Sequence, residues 1–322
     1  MAKKSEVEVS GSIVDRLNSK YGKGTIIGGT LAPEKVESVS TGSLTLDIAT
    51  GINGNPRGKL IEMFGPESSG KSTLSLHFTA NFQKAGDKVL LVDFEQSFDK
   101  RYARNLGVNV DELLIAQPDN MEDGWNLIFD AVLSKEFGLI VLDSQTAMPP
   151  KAALEGEIGD PKMALQARIN SDALRKIKPK LISSGTTIVA ISQLRTAIGS
   201  YGDPDKPSGG NAFKFYSDIR YKVSKSLDKV NGLNKTVVDV IKNKCAPPFG
   251  KAEFDIVWGE GVDKLGEIID LSVENKEISK AGGWYTVGED KYQIGKLKEF
   301  LGDNPEFLEE LENKIKNVAL AV

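Results

Sequence analysis

The chain has 322 residues, 40% of them apolar and 27% charged, which is enough to bury one large core with one or two appendages and too apolar for a disordered tail. A formal net charge of −4 excludes a surface coated in basic residues, yet leaves room for a focused nucleic-acid groove, because phosphate affinity depends on where Lys and Arg sit. The single cysteine, Cys245, excludes an internal disulfide, the N-terminus MAKKSEVEVS lacks the apolar stretch of a secretory signal, and no apolar run approaches the roughly 18 residues of a membrane span, so a cytoplasmic protein is expected.

Residues 1–33 read as an arm. Ile13, Val14 and Leu17 share one helical face, and the Gly-rich YGKGTIIGG follows. So short a helix cannot bury that face alone, and it is expected to pack either on its own domain or on a neighbouring subunit. From residue 34 to 262, short β-rich runs alternate with helical stretches, which predicts an α/β core around a mainly parallel sheet. Strands are expected at 59–64, 88–93, 113–117, 138–143, 186–193, 217–224, 236–243 and 252–258. Helices are expected at 73–84, 100–106, 121–135 and 162–182. Residues 263–322 change character and read as a small α/β lobe, with a turn at 282–285 and an amphipathic helix from Pro305. Lys280, Lys291, Lys296 and Lys298 in that lobe read first as a solvated surface, with DNA as the alternative.

Between the first core strand and its helix lies GPESSGKS, that is Gly65, Pro66, Glu67, Ser68, Ser69, Gly70, Lys71 and Ser72, followed by Thr73. This is the phosphate-binding loop pattern in the context it requires. Glycines at both ends let successive N–H groups and the helix N-terminus converge on a polyphosphate. Lys71 then meets the outer phosphates and the Ser72 hydroxyl meets Mg²⁺.

Ligands in such folds gather at the carboxyl ends of the strands. Four ends carry polar pairs: Asp93 with Glu95, Asp143 with Ser144, Gln193 with Arg195, and Lys242 with Lys244. Asp143, closing LIVLD, is placed to partner Mg²⁺ directly or one ligand removed, a helix cap being the competing role. Glu95 can polarise the water that attacks a γ-phosphate, simple exposure being its competitor. Two loops, 155–163 and 195–210, hold no element of their own, and the second exceeds ordinary loop length. Its glycines, prolines and isolated cations suit a segment that orders on a polyanion. Arg168 and Arg175 share a face of the helix between the loops. His77 and Cys245 read as structural residues.

The succession STGSLTLDIATG, GPESSGKSTL, VDFEQSFD, YARNLGV, EGEIGD, SQLR, GGNAFKFY, KNKCAPPFGKAEF and WGEG resembles the bacterial RecA recombinase family along nearly the whole chain, phage-encoded members included. The resemblance implies an ATP-dependent homologous recombinase that forms helical filaments on single-stranded DNA and exchanges strands with double-stranded DNA, hydrolysing ATP with Mg²⁺ between adjacent subunits. It implies that Lys71 and Ser72 hold phosphates and metal, that Glu95 activates water and that Gln193 senses the γ-phosphate. Asp99, Tyr102, Trp258 and Gly259 match adenine-side positions, and Lys242 and Lys244 match a pair that reaches the neighbour's ATP. Phe215 matches a subunit contact. Met163 and Ile198 match wedges between base triplets, with Arg168, Arg175, Arg195, Gly210 and Asn211 near DNA phosphates. The arm becomes a polymerisation element and the C-terminal lobe a duplex-DNA capture site, with mediator and single-strand-binding proteins as implied partners. The chain departs from the family pattern at Phe94 and Gln96, where Ala and His are common, and at ISQLR, where INQIR is usual. A hexameric helicase or accessory motor, a non-hydrolysing DNA filament and a small-molecule kinase are the alternatives; EGEIGD and the Lys242/Lys244 segment favour the recombinase.

Overall fold

The computed structural model describes residues 12–22, 26, 36–156, 163–194, 210–227 and 234–320. They belong to two compact units, Met1–Val36 and Glu37–Val322. In the first, α1 (Ile13–Tyr21) is closed by a capping box in which Ser12 Oγ accepts from the Asp15 amide and Asp15 accepts from the Ser12 amide. The Asn18 side chain holds both the N–H and the carbonyl of Ile26. Ile13 and Val14 are exposed.

The second unit opens with β1 (Ser38–Val39), α2 (Leu44–Ala49) and β2 (Asn55–Pro56). It continues through β3 (Leu60–Gly65), α3 (Lys71–Lys84), β4 (Lys88–Asp93), α4 (Lys100–Asn105), β5 (Leu114–Ala116) and α5 (Met121–Ser134). Next come β6 (Phe137–Asp143), α6 (Lys151–Leu154), α7 (Met163–Ser184), β7 (Thr187–Gln193) and α8 (Ala212–Tyr216). Then follow β8 (Ile219–Leu227), β9 (Asn234–Asn243), β10 (Lys251–Phe254), β11 (Ile256–Val257) and β12 (Gly261–Val262). The last elements are α9 (Lys264–Glu274), the strands β13 (Ser279–Ala281), β14 (Trp284–Val287) and β15 (Asp290–Gln293), and the helices α10 (Ile294–Asp303) and α11 (Pro305–Leu320).

Eight strands form one sheet in the order β10-β9-β8-β3-β7-β6-β4-β5. The six from β8 to β5 run parallel, and β9 and β10 add an antiparallel edge. The central strands are near-continuous apolar runs because helices cover both faces. Val189 and Ile191 of β7 join Leu74 and Phe78 of α3 on one face, whereas Ile188 and Ala190 join Trp125 and Ile128 of α5 and Leu174 and Ile177 of α7 on the other. The α/β class with a mainly parallel sheet is as the sequence predicts. The run expected at 252–258 is two elements instead: Asp255 interrupts it, and β11 leaves the large sheet to pair with β12. The two-residue strands and α2, α6 and α8 are too short to generate a readable period.

The C-terminal elements gather a smaller core of Ile268, Ile269, Ile278, Leu297, Leu301, Leu311 and Ile315 that also takes in Leu44 of α2. Glu267 of α9 clamps this joint. Its carboxylate accepts from Ser43 Oγ at 2.6 Å, from Thr45 Oγ1, and from the Leu44 and Thr45 amides at 3.3 Å. It thereby satisfies free N–H groups at the start of α2. Burial pushes its pKa up to about 7.

Candidate nucleotide site and DNA-facing surface

The phosphate loop is built by the junction of β3 and α3. A side chain at Gly65 would meet the Val223 carbonyl at 1.9 Å, so only glycine lets the strand lie this close to β8. Gly70 turns into α3 through a left-handed φ of 101°, a conformation that glycine adopts at little cost. Lys71 Nζ folds back on the loop's own carbonyls, donating to Gly65 O at 3.0 Å and Pro66 O at 2.6 Å. Burial lowers its pKa, opposed by the carboxylates of Asp143, Glu95 and Glu67.

Ser72 Oγ donates to Asp143 Oδ2 at 3.0 Å. Burial pushes the Asp143 carboxyl up to about 6, and repulsion from Glu95 adds to the rise. Ser69 Oγ is buried without a hydrogen-bond partner. A hydroxyl, a charge-starved carboxyl and an unused buried hydroxyl together fit a divalent cation shared with phosphate oxygens. Among the described residues no group of three or more His, Cys, Asp and Glu side chains could hold a metal ion.

A cleft of about 760 Å³ opens from this loop. Its walls are residues 68–73, Asp99, Arg101, Tyr102, Asn105, Lys225, Thr236, Ile256, Trp258 and Gly259. Tyr102 reaches the loop side through a 2.9 Å hydrogen bond between its hydroxyl and Thr73 Oγ1. Asp99 caps α4, accepting from the Arg101 and Tyr102 amides at 2.8 and 3.1 Å. The β11–β12 hairpin carries Gly259 and the 99% exposed Trp258 at its tip. Two braces hold it: Asn105 Nδ2 donates to Gly259 O at 3.1 Å, and the Val262 amide donates to His77 Nε2 at 3.0 Å. Burial pushes His77 down to about 4, which keeps it a neutral acceptor. His77 is thus the structural residue its sequence context suggests.

Beyond the phosphate loop the ends of β4, β6 and β7 converge on one carboxylate. Glu95 Oε1 accepts from Ser144 Oγ at 2.5 Å and from Gln193 Nε2 at 2.6 Å. Thr146 Oγ1 lies 2.9 Å from Ser144 Oγ and accepts from the Gln193 amide at 3.4 Å. Glu95, Gln193 and Asp143 are therefore drawn into one polar cluster beside Lys71 and Ser72.

Lys242 and Lys244 are not drawn in, and neither lines the cleft. Lys242 Nζ donates to the carbonyls of Lys214 and Phe215 at 2.8 and 3.0 Å, closing the C-terminal end of α8. Its pKa is lowered by burial and by Lys244 and Arg220 nearby. Lys244 lies 3.9 Å from Asp218. Phe215 is 70% exposed beside them.

On α7, Arg168 and Arg175 are both exposed, with Asp172 3.7 Å from Arg175. Gly210 (φ 88°) comes so close to Ala167 that a Cβ would sit 2.6 Å from the Ala167 methyl, which brings Gly210 and Asn211 against the same helix. Met163 opens α7. Arg195 and Ile198 lie outside the described residues, as does most of each loop. Arg101, Asn105, Lys225, Thr236 and Ile256 line the cleft without having been read from the sequence, since no local motif marks them.

A phosphate loop after a sheet strand, an acid at the end of β6 one strand removed and a glutamine–glutamate pair beside them define a P-loop nucleoside triphosphatase of the α/β type. Comparison with known proteins narrows the class. The RecA N-terminal domain matches residues 9–263 and the RecA C-terminal domain residues 266–320. Protein RecA of Porphyromonas gingivalis is 47% identical over 310 residues, covering 94% of this chain and 91% of its own. Those of Streptomyces venezuelae and Cytophaga hutchinsonii are each 46% identical across 94% of this chain, covering 82% and 88% of theirs. The chain belongs to the RecA family, the recombinases of DNA recombination and repair. With the family come DNA-dependent ATPase activity, nucleotide binding with a metal, DNA binding and filament formation. Among the described residues no helix is long and apolar enough to cross a membrane.

Proposed function

We propose that the cleft takes ATP with Mg²⁺ and hydrolyses it at the interface between adjacent subunits of a helical filament on single-stranded DNA, the filament that pairs and exchanges strands with a homologous duplex. The observation that carries this is the division of the site: a polar cluster complete up to Glu95 and Gln193, and two lysines that point elsewhere.

Residues 65–73 wrap the phosphates with backbone amides, and Lys71 exchanges two carbonyls for phosphate oxygens. Ser72 and Asp143 are the residues that would hold Mg²⁺, which when bound would neutralise phosphate charge. Tyr102, Asp99 and the Trp258–Gly259 tip border the base. Glu95 orients the attacking water, and Gln193 leaves Glu95 for the γ-phosphate when that group is present. Lys242 and Lys244 of one subunit serve the ATP of the next, neutralising charge that develops in phosphoryl transfer as an arginine finger does. Phe215 lies at that contact.

The division 1–33, 34–262 and 263–322 assigns polymerisation to the arm, catalysis to the core and duplex capture to the lobe. Exposed Ile13 and Val14 support the first of these assignments. Met163, Arg168, Arg175, Arg195, Ile198, Gly210 and Asn211, in or beside the loops 155–163 and 195–210, hold single-stranded DNA through phosphates and stacked bases with little sequence preference. Mediator and single-strand-binding proteins are further partners on this view, and the compartment is the cytoplasm. ATP turnover with and without single-stranded DNA, combined with electron microscopy of the same samples, tests the proposal. Strong stimulation with extended filaments is expected. Closed rings would indicate a helicase instead, and filaments without turnover would remove the catalytic role from Glu95.

A further inference from the structure

A row of buried polar side chains crosses the otherwise apolar layer between α5, α7 and the sheet. Trp125 Nε1 donates to Asn170 Oδ1 at 3.1 Å, and Asn170 Nδ2 donates to Gln145 Oε1 at 3.1 Å. Gln145 Nε2 donates to Ser192 Oγ at 3.2 Å, and Ser192 Oγ donates to Glu62 Oε1 at 3.2 Å. The other Glu62 oxygen accepts from Arg220 Nε at 2.5 Å. No member is more than 7% exposed. The sense of the row follows from its ends. An indole N–H can only donate and a carboxylate can only accept, so each amide between them must present its oxygen toward Trp125 and its NH₂ toward Glu62.

Apolar residues of similar volume would fill this layer at lower desolvation cost, and a half-satisfied row is worse than none. Its members therefore keep their places together. Those places join two parts of the site. Asn170 lies on α7 between Arg168 and Arg175. Gln145 and Ser192 stand at the ends of β6 and β7, where the Gln145 backbone N–H also donates to Ile191 O at 2.9 Å. The next residue in each segment, Thr146 and Gln193, belongs to the cluster around Glu95. Strand alternation turns Ser192 to the α7 face and Gln193 to the α3 face. One strand end is thus gripped from both sides.

We propose that Asn170, Gln145 and Ser192 are positioning residues that lock α7 to the strand end presenting Gln193 to Glu95, so that DNA held at α7 sets the placement of Gln193. This rests on the assignment of α7 to DNA and of Gln193 to the γ-phosphate.

The test uses the full chain and reads the ratio of ATP turnover with single-stranded DNA to turnover without it, for Asn170→Leu, Gln145→Met and their combination. Turnover without DNA stays within about twofold of the parent while the ratio falls about tenfold, the scale of a moderate coupling between sites. The double variant falls no further than either single one, because breaking any link breaks the row. A purely structural role would lower melting temperature and both turnovers together, with single effects that add, and that pattern overturns the proposal. So does an unchanged ratio in folded variants. Should Asn170→Leu fail to fold, the more conservative Gln145→Met decides by its melting temperature, its turnover without DNA and its ratio. A parent protein without DNA stimulation overturns the underlying DNA assignment as well, which separates that failure from failure of the row alone.

Discussion

The nucleotide cleft and the end of β9 are finished differently. In and beside the cleft each candidate group already has a companion in its own chain: Lys71 with loop carbonyls, Ser72 with Asp143, Glu95 with Ser144 and Gln193. At the end of β9, Lys242 donates to the carbonyl end of a five-residue helix, and Phe215 is 70% exposed beside it. A group that closes a helix end can be released at modest cost, since such contacts are worth about 1 kcal/mol. The first region is self-contained; on the proposed reading the second is completed by another copy.

The most damaging way to probe the self-contained side is Lys71→Ala. It removes the cation within residues 65–73, and nucleotide-dependent filament formation is expected to be lost. Normal DNA-stimulated turnover in that variant, measured by phosphate release, would remove the loop from the mechanism. Next comes Glu95→Gln, which keeps the size of the side chain while discarding its charge. Turnover should fall by about 10²-fold, the usual loss for a general base, while filaments persist under electron microscopy in ATP. Rapid hydrolysis would assign the water to another residue.

A smaller effect concerns the joint between α2 and α9, which carries neither region's chemistry. Glu267 holds its proton up to about pH 7 in the folded protein against an ordinary value of 4.5. The folded state therefore binds that proton more tightly than the unfolded state does. Its contribution is fully present below pH 4.5 and is lost as pH rises toward 7. The melting temperature should fall across that window by a few degrees, roughly the scale of 3 kcal/mol in a chain this size, and Glu267→Gln should flatten the fall. An identical slope in the variant would assign the pH dependence elsewhere.

The self-contained side was largely legible in the sequence. GPESSGKS carries its own geometry, and Asp143 and Glu95 follow apolar runs whose ends could be placed within a residue or two. Asn105 and Lys225 were not legible, because each reaches the cleft only through where α4 and β8 come to rest. Asp255, between Phe254 and Ile256, stands where an expected strand splits in two. The buried row was invisible for a related reason. Asn170 and Gln145 are 25 residues apart and Gln145 and Ser192 are 47 apart, and none interrupts a periodic pattern strongly enough to stand out. Ser192 was noticeable only as a departure from the family's usual segment, with no indication of what it touches.

Sharing of one site between two subunits is tested most directly by mixing two inactive proteins, Glu95→Gln and Lys242→Ala/Lys244→Ala, in equal amounts on single-stranded DNA and measuring ATP turnover. In a head-to-tail filament with random order, about one interface in four joins an intact Glu95 to a neighbour's intact lysines. Turnover should recover to about a quarter of the unsubstituted protein's value by the same count. Mixed filaments that stay as inactive as their components would contradict a site completed by the neighbouring chain.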